Sequence, residues 1–196
     1  GVGVDRAARR GVVVSSPDGA AWRTEAEIPG LAWPRVAFGG GTFVVWTEGG
    51  AVGASADGAE WSWTAVPRVN TLFAVAWANG RFVASGTHDC CFGEVPSAIA
   101  YFTATSPDGR AWETRDAPLR TIFFDLAFAE GVYLASSYEQ IFSSVDGTAW
   151  TPRRSAAARK DWRYALAFAE GKWVAVGRSA IDVSADGTAW RTLPIP

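Results

Sequence analysis

The sequence has no methionine, one histidine and two cysteines, and its charges nearly cancel, with 18 basic against 20 acidic side chains. Each scarcity excludes something. A net charge of −2 removes the broad positive field that most nucleic-acid binders use, and no nucleic-acid motif replaces it. No apolar run approaches the ~18 residues of a membrane-crossing helix. No stretch holds a 3.6-residue period between caps, so long helices are not expected. With one imidazole, a Ser/His/Asp system would have to use His88, which has no nucleophile-elbow motif around it. Glycine-rich phosphate loops and Cys-x-x-Cys metal spacings are missing as well. The absence of methionine extends to position 1, where the chain reads Gly1-Val2-Gly3-Val4. That beginning suggests a processed precursor and, with a removed signal peptide, an extracytoplasmic location, periplasmic or secreted.

Against these absences stand 11 tryptophans in 196 residues. Hydrophobic residues at 48% and charged ones at 19% give an ordinary globular balance, expected to fold as one domain over 1–196. The tryptophans are explained by a repeat. The pattern Ser-x-Asp-Gly-x-x-Trp occurs five times, at Ser16-Asp18-Gly19-Trp22, Ser55-Asp57-Gly58-Trp61, Ser106-Asp108-Gly109-Trp112, Ser144-Asp146-Gly147-Trp150 and Ser184-Asp186-Gly187-Trp190. The aspartates are 39, 51, 38 and 40 residues apart. Four of the five are preceded by an Ala-aromatic pair and a glycine: Ala37-Phe38 to Gly41, Ala76-Trp77 to Gly80, Ala127-Phe128 to Gly131 and Ala167-Phe168 to Gly171. Alternating runs such as Phe43-Val44-Val45-Trp46 follow, and Asn79-Gly80 and Glu130-Gly131 read as tight hairpin turns.

Each unit therefore holds four strands. Strand A ends in Ala-aromatic, a glycine turn leads to strand B, strand C runs into the Ser-x-Asp-Gly turn, and strand D begins at the tryptophan. About 40 residues in four antiparallel strands is the size of a propeller blade. The expected fold is an all-β propeller of five four-stranded blades. Their bounds fall near 1–25 (partial), 33–64, 71–115, 121–153 and 161–192. The first piece supplies only strands B, C and D. The missing strand A is expected upstream in a longer precursor, or from a partner, and a larger ring with further upstream blades is the rival reading.

The Asp-Gly turn is structural: the carboxylate accepts hydrogen bonds from its own turn, glycine supplies a left-handed conformation, and the tryptophan packs between sheets. On these motifs the chain resembles the BNR or Asp-box repeat superfamily, which includes sialidases, sortilin-type receptors and photosystem II assembly and stability factors. The shortened repeat looks most like the non-enzymatic members. The resemblance covers almost the whole chain and implies a propeller; it does not imply one function.

Site candidates come from departures from the repeat. The interval from the A–B glycine to the aspartate is 16, 15 and 15 residues after Gly41, Gly131 and Gly171, but 28 after Gly80. The extra residues fall in one B–C loop, 86–98, expected on the face opposite the Asp-Gly turns, and include His88, Asp89, Cys90, Cys91, Phe92 and Glu94. Three readings of this loop stay open: a vicinal Cys90–Cys91 disulfide, a metal site from His88, Asp89 and two thiolates, and inert thiols. The disulfide reading suits an exported protein. Adjacent cysteines reach one tetrahedral ion poorly, so no metal or other cofactor is expected. The second candidate is a basic rim of D–A residues, Arg153, Arg154, Arg159, Lys160 and Arg163, either a solvated loop or a docking patch for an acidic partner.

A sialidase-type glycoside hydrolase needs an arginine triad, a tyrosine nucleophile activated by glutamate, and an acid. Tyr138-Glu139 is the nearest approach, but it sits at a B–C turn and the arginine motif is absent. No enzyme is expected. Two binding classes remain. One is a protein-interaction module, an accessory or assembly subunit of a larger complex. The other is a lectin using rim aromatics such as Trp33, Phe73, Phe123 and Trp162. The rim positions differ between blades, which favours a single asymmetric protein interface.

Overall fold

The computed structural model of the chain describes residues 1–7, 10–29, 33–88, 99–138, 140–155, 163–178 and 180–194. Among them there are strands and turns and no helix, and so none long and apolar enough to cross a membrane. The chain divides into two compact units, Gly1–Arg115 and Asp116–Pro196.

The first unit holds three antiparallel sheets. β1 (Val2–Asp5), β2 (Arg10–Ser15) and β3 (Arg23–Ile28) form a three-stranded sheet in chain order. β4 (Arg35–Gly39), β5 (Thr42–Trp46), β6 (Ala51–Ser55) and β7 (Ser62–Ala65) form the second, a four-stranded meander. β8 (Thr71–Ala78), β9 (Arg81–His88), β10 (Ala100–Ser106) and β11 (Glu113–Asp116) form the third. The second unit repeats the meander twice. Its sheets are β12 (Asp125–Ala129), β13 (Val132–Ser136), β14 (Gln140–Ser144) and β15 (Thr151–Ser155), then β16 (Arg163–Ala169), β17 (Lys172–Gly177), β18 (Ala180–Ser184) and β19 (Arg191–Pro194). Every Ser-x-Asp-Gly turn joins the last two strands of its sheet. β1, β2 and β3 therefore correspond to strands B, C and D, and among the described residues no strand stands at the strand A position of this sheet.

The A–B turns show why the glycines recur. Both central residues have positive φ in each: Gly40 (57°) and Gly41 (75°), Asn79 (51°) and Gly80 (75°), Glu130 (51°) and Gly131 (77°), Glu170 (51°) and Gly171 (70°). This is the type I′ geometry whose twist matches the flanking strands. Just before and after each turn an aromatic pair closes across the hairpin. Phe38 meets Phe43, Trp77 meets Phe82, Phe128 meets Tyr133 and Phe168 meets Trp173, with ring centroids 4.5, 4.7, 4.7 and 5.0 Å apart.

Neighbouring sheets within a unit share apolar cores. Val13 and Ile28 of the first sheet pack with Val45, Trp61 and Trp63 of the second. Val44, Trp46 and Val52 of the second pack with Leu72, Phe82, Phe102 and Trp112 of the third. In the second unit Leu134 and Ile141 pack with Leu166, Trp173 and Ala175. Full burial of one such side chain contributes about 1.5–3 kcal/mol, so these seams are a large stabilising term.

One seam shows a size compensation. Trp77 lies directly on Gly39 and Gly40 of the preceding sheet; a Cβ built on Gly39 would sit 1.9 Å from Trp77 Cγ, and one on Gly40 2.4 Å from Cη2. In the second unit the place of Gly39 belongs to Ala129, and the aromatic in its seam is the smaller Phe168.

Candidate functional site

The Ser-x-Asp-Gly turns close on themselves. In the first, Asp18 Oδ1 accepts from the N–H groups of Ala20 (2.8 Å) and Ala21 (2.9 Å), and Ser16 Oγ accepts from the Gly19 N–H at 2.8 Å while donating to Asp18. The other four turns repeat this with Gly N to Ser Oγ distances of 2.8, 2.8, 2.9 and 2.9 Å. These bonds favour the charged carboxylate. Asp18 is held below the usual carboxylate range by Ala21 and then Ala20, Asp57 by Glu60 and Ala59, and Asp108 by Ala111 and Arg110. Asp146 and Asp186 are held lower still, first by the backbone of Ala149 and of Ala189 respectively. Carboxylates stabilised as anions in this way are poor proton donors near neutrality.

The tryptophan N–H finds its acceptor inside the same turn. Trp22, Trp61, Trp112 and Trp190 donate Nε1 to the turn glycine's carbonyl at 3.0, 2.9, 3.0 and 3.1 Å. Trp150 is the exception: its Nε1 is buried without a partner, while its ring packs 4.7 Å from Phe123. The expectation that every motif tryptophan packs between sheets needs correction. Trp61, Trp112 and Trp190 pack in the seams with the sheet before their own, whereas Trp22 stays 56% exposed.

The opposite sheet ends carry the variable connections. The long one joins β9 to β10, the B and C strands of the third sheet, with His88 paired to Ala100 at its base. His88 is exposed. Asp89, Cys90, Cys91, Phe92 and Glu94 lie outside the described residues, and with them the redox and metal readings of the loop. Among the described residues no three His, Cys, Asp or Glu side chains gather as metal ligands.

Only part of the basic rim falls within the described residues. Arg153 and Arg154 belong to β15 and not to a D–A connection. Arg153 Nε donates to Ser143 Oγ at 2.7 Å. Arg154 reaches the next sheet, donating to Thr192 Oγ1 (2.6 Å) and pairing with Asp182 at 3.5 Å. Asp182 is fully buried and also accepts from Thr192. Arg154 is therefore half a seam residue, tied to the next sheet through Thr192 and Asp182. Arg159 and Lys160 lie outside the described residues, and Arg163 opens β16. Of the rim aromatics, Trp33 is exposed, but Phe123 is buried against Phe142 and Trp150, so it is a core residue. Trp162 lies outside the described residues.

Several contacts between sheets were not foreseen. Arg110, from the third sheet's turn, donates Nε to Ser62 Oγ of the second at 3.1 Å. Arg35 donates to the Phe73 carbonyl at 3.0 Å. Asp125 Oδ2 accepts from the Leu166 N–H at 2.8 Å. Only the run Gly39-Gly40-Gly41, where other repeats have Ala-Asn-Gly or Ala-Glu-Gly, left a trace in the sequence.

No family model matches the sequence, and no curated protein does. Solved structures do match. YCF48 bound to D1 peptide superimposes with TM-score 0.58 at 21% identity, covering 94% of this chain and 64% of that one. The extracellular domain of a protein described as a hybrid two-component system from B. thetaiotaomicron gives TM-score 0.62 at 10% identity, covering 94% of this chain and 27% of that one. Trypanosoma rangeli sialidase in complex with 2,3-difluorosialic acid gives TM-score 0.62 at 12% identity, with 92% and 40% covered. The chain spans less than two thirds of each. At these identities the likeness shows the fold. The chain is a β-propeller. Its five sheets are blades, and among the described residues the first holds three strands.

Proposed function

We propose that this propeller is a non-catalytic, extracytoplasmic binding module of the Asp-box superfamily that docks another protein, as an accessory or assembly subunit. The observation that carries this reading is the asymmetry between the two ends of the blades. At one end five turns repeat the same self-satisfied hydrogen bonds and leave no free acid. At the other, a single connection, between β9 and β10, breaks the repeat, and a departure confined to one repeat suits one asymmetric partner. The structural likeness to a propeller bound to a peptide and to an extracellular domain supports the same reading.

One observation favours the lectin alternative. Shallow grooves recur beside the motif tryptophans of the first, third and fifth blades, each including the indole and the residue after it: Trp22 and Arg23, Trp112 and Glu113, Trp190 and Arg191. A photo-crosslinking residue placed at His88 in the native source separates the readings. A discrete polypeptide adduct, lost when residues 89–98 are replaced by a two-residue turn, is the expected result. Glycan-array binding with no polypeptide adduct would transfer the function to the tryptophan grooves. Turnover of a sialoside or xyloside would overturn both.

A further inference from the structure

The five motif turns share a chemical hazard as well as a bond pattern. Each contains an Asp-Gly pair: Asp18-Gly19, Asp57-Gly58, Asp108-Gly109, Asp146-Gly147 and Asp186-Gly187. Such pairs are prone to spontaneous rearrangement, because glycine has no Cβ to obstruct attack by its nitrogen. That nitrogen adds to Cγ of the neutral carboxylic acid. The carboxyl hydroxyl and the nitrogen's proton leave as one water, and a five-membered succinimide closes. Water then opens the ring at either carbonyl. The products are aspartate, or isoaspartate in which the main chain runs through the side-chain carbon. One water is lost and one taken up, so the net change is an isomerisation that needs no oxidant or cofactor.

Ring closure requires a protonated carboxyl and a glycine nitrogen free to turn onto Cγ. The turn opposes both. In the second blade Asp57 Oδ1 accepts from the Ala59 N–H at 2.9 Å, the Glu60 N–H at 3.0 Å and Ser55 Oγ at 3.0 Å, bonds that favour the anion. The Gly58 N–H is committed to Ser55 Oγ at 2.8 Å, which pins the peptide plane that would have to rotate. Serine is thus the one side chain that touches both reacting groups. It does so in every blade, donating to the aspartate at 3.0, 3.1, 2.9 and 3.0 Å in the first, third, fourth and fifth. Ser55, Ser106, Ser144 and Ser184 are buried. The residue between serine and aspartate varies freely, as Pro17, Ala56, Pro107, Val145 and Ala185, while the serine does not.

We infer that the motif serine is a chemical guard, suppressing isoaspartate formation at five latent modification sites by pinning the glycine nitrogen and keeping the aspartate ionised. Asp57 is held below the ordinary carboxylate range by the backbone of Glu60, then of Ala59, then by Ser55, so the neutral acid that ring closure consumes is scarce. Rearrangement here would be destructive. It would add a main-chain carbon to a turn whose glycine sits at φ 81° and whose tryptophan donates back to that glycine's carbonyl at 2.9 Å. Trp61 would then lose its place in the seam with the first blade. The inference concerns how the fold ages and stands apart from what the propeller docks.

The test incubates the intact chain at about pH 5, well below its melting temperature, and follows isoaspartate at each Asp-Gly pair by isoaspartyl methyltransferase labelling and peptide mapping. In the chain unfolded by denaturant all five pairs should rearrange. In the native protein they should do so at least about tenfold more slowly, the effect of a one-unit fall in carboxyl pKa. Ser55→Ala should raise the rate at Asp57 about two- to tenfold, the worth of one hydrogen bond, with the other four pairs unchanged as internal controls. A serine kept for turn stability alone would alter the melting temperature and leave the rate in the folded sample untouched. If Ser55→Ala loosens the whole fold, all five pairs accelerate together, and Ser184→Ala then decides against the same controls. Native pairs that rearrange as fast as unfolded ones, or a serine variant no faster than the native protein, would overturn the proposal. A slower variant would also overturn it, by making the serine a proton relay from the nitrogen to the carboxyl group.

Discussion

Trp22 and Trp112 hold the same position of the same motif, yet one is 56% exposed and the other 7%. Their turns are alike in hydrogen bonding: Gly19 and Gly109 each donate to their serine at 2.8 Å. What differs is the surroundings. A Cβ on Gly19 would meet nothing within 4 Å, whereas one on Gly109 would sit 2.5 Å from Val44 Cγ2 of the preceding blade. The turn is thus a local structure that forms without help, and the blade seam is a separate, additive layer over it.

The sharpest way to break this comparison is to delete the two rings. Trp112→Ala should cost about 3–5 kcal/mol by leaving a cavity in the seam. Trp22→Ala should cost far less, and chemical denaturation of the two variants measures the gap. Equal losses would mean that the seam contributes nothing to the third blade. Next in size is Gly39→Ala. Its methyl group cannot coexist with Trp77, and overpacking of this kind costs about 1–3 kcal/mol. The double variant Gly39→Ala with Trp77→Phe should recover part of the loss, as the pairing of Ala129 with Phe168 suggests.

Acid provides a third test. All five motif aspartates have folded-state pKa values below the ordinary range. Their stabilisation is therefore complete above the unfolded value of about 4, and is lost as pH falls from there through the folded values. Melting temperature should drop on acidification below about pH 4, and Asp108→Asn, which keeps the acceptor oxygen, should flatten that drop. A melting temperature independent of pH in this range would show that the turns carry no linked stability. The smallest effect concerns Trp150. Its N–H has no acceptor, so Trp150→Phe should cost less than Trp190→Phe by about 0.5–1.5 kcal/mol, the worth of one hydrogen bond.

What was legible in the sequence followed from short-range constraint. The Ser-x-Asp-Gly-x-x-Trp spacing contains all the atoms of its turn, and the Ala-aromatic and glycine positions contain all of theirs, so strand order, hairpin type and the missing strand A could be read directly. The unforeseen features are contacts between blades. Nothing near Arg154 announces Asp182, 28 residues on; only the stacking of sheets brings them together. Phe123 read as a rim residue because it precedes a strand, and is buried because Trp150 and Phe142 cover it. Charge runs mislead for the same reason, since a guanidinium in sequence beside others can be committed across a seam.

The glycine pair beneath Trp77 has one more consequence. A chain built from near-copies faces a sorting problem as it folds, because any repeat could dock on any other. Turns that are chemically identical cannot tell the copies apart. A bulky indole that fits behind only a side-chain-free turn can: behind Ala129-Glu130 it would collide, and behind Gly39-Gly40 it seats. The unequal volumes of Trp77 on Gly39-Gly40 and of Phe168 near Ala129 make these two seams non-interchangeable, while the motif that makes the repeats recognisable takes no part in telling one from the next.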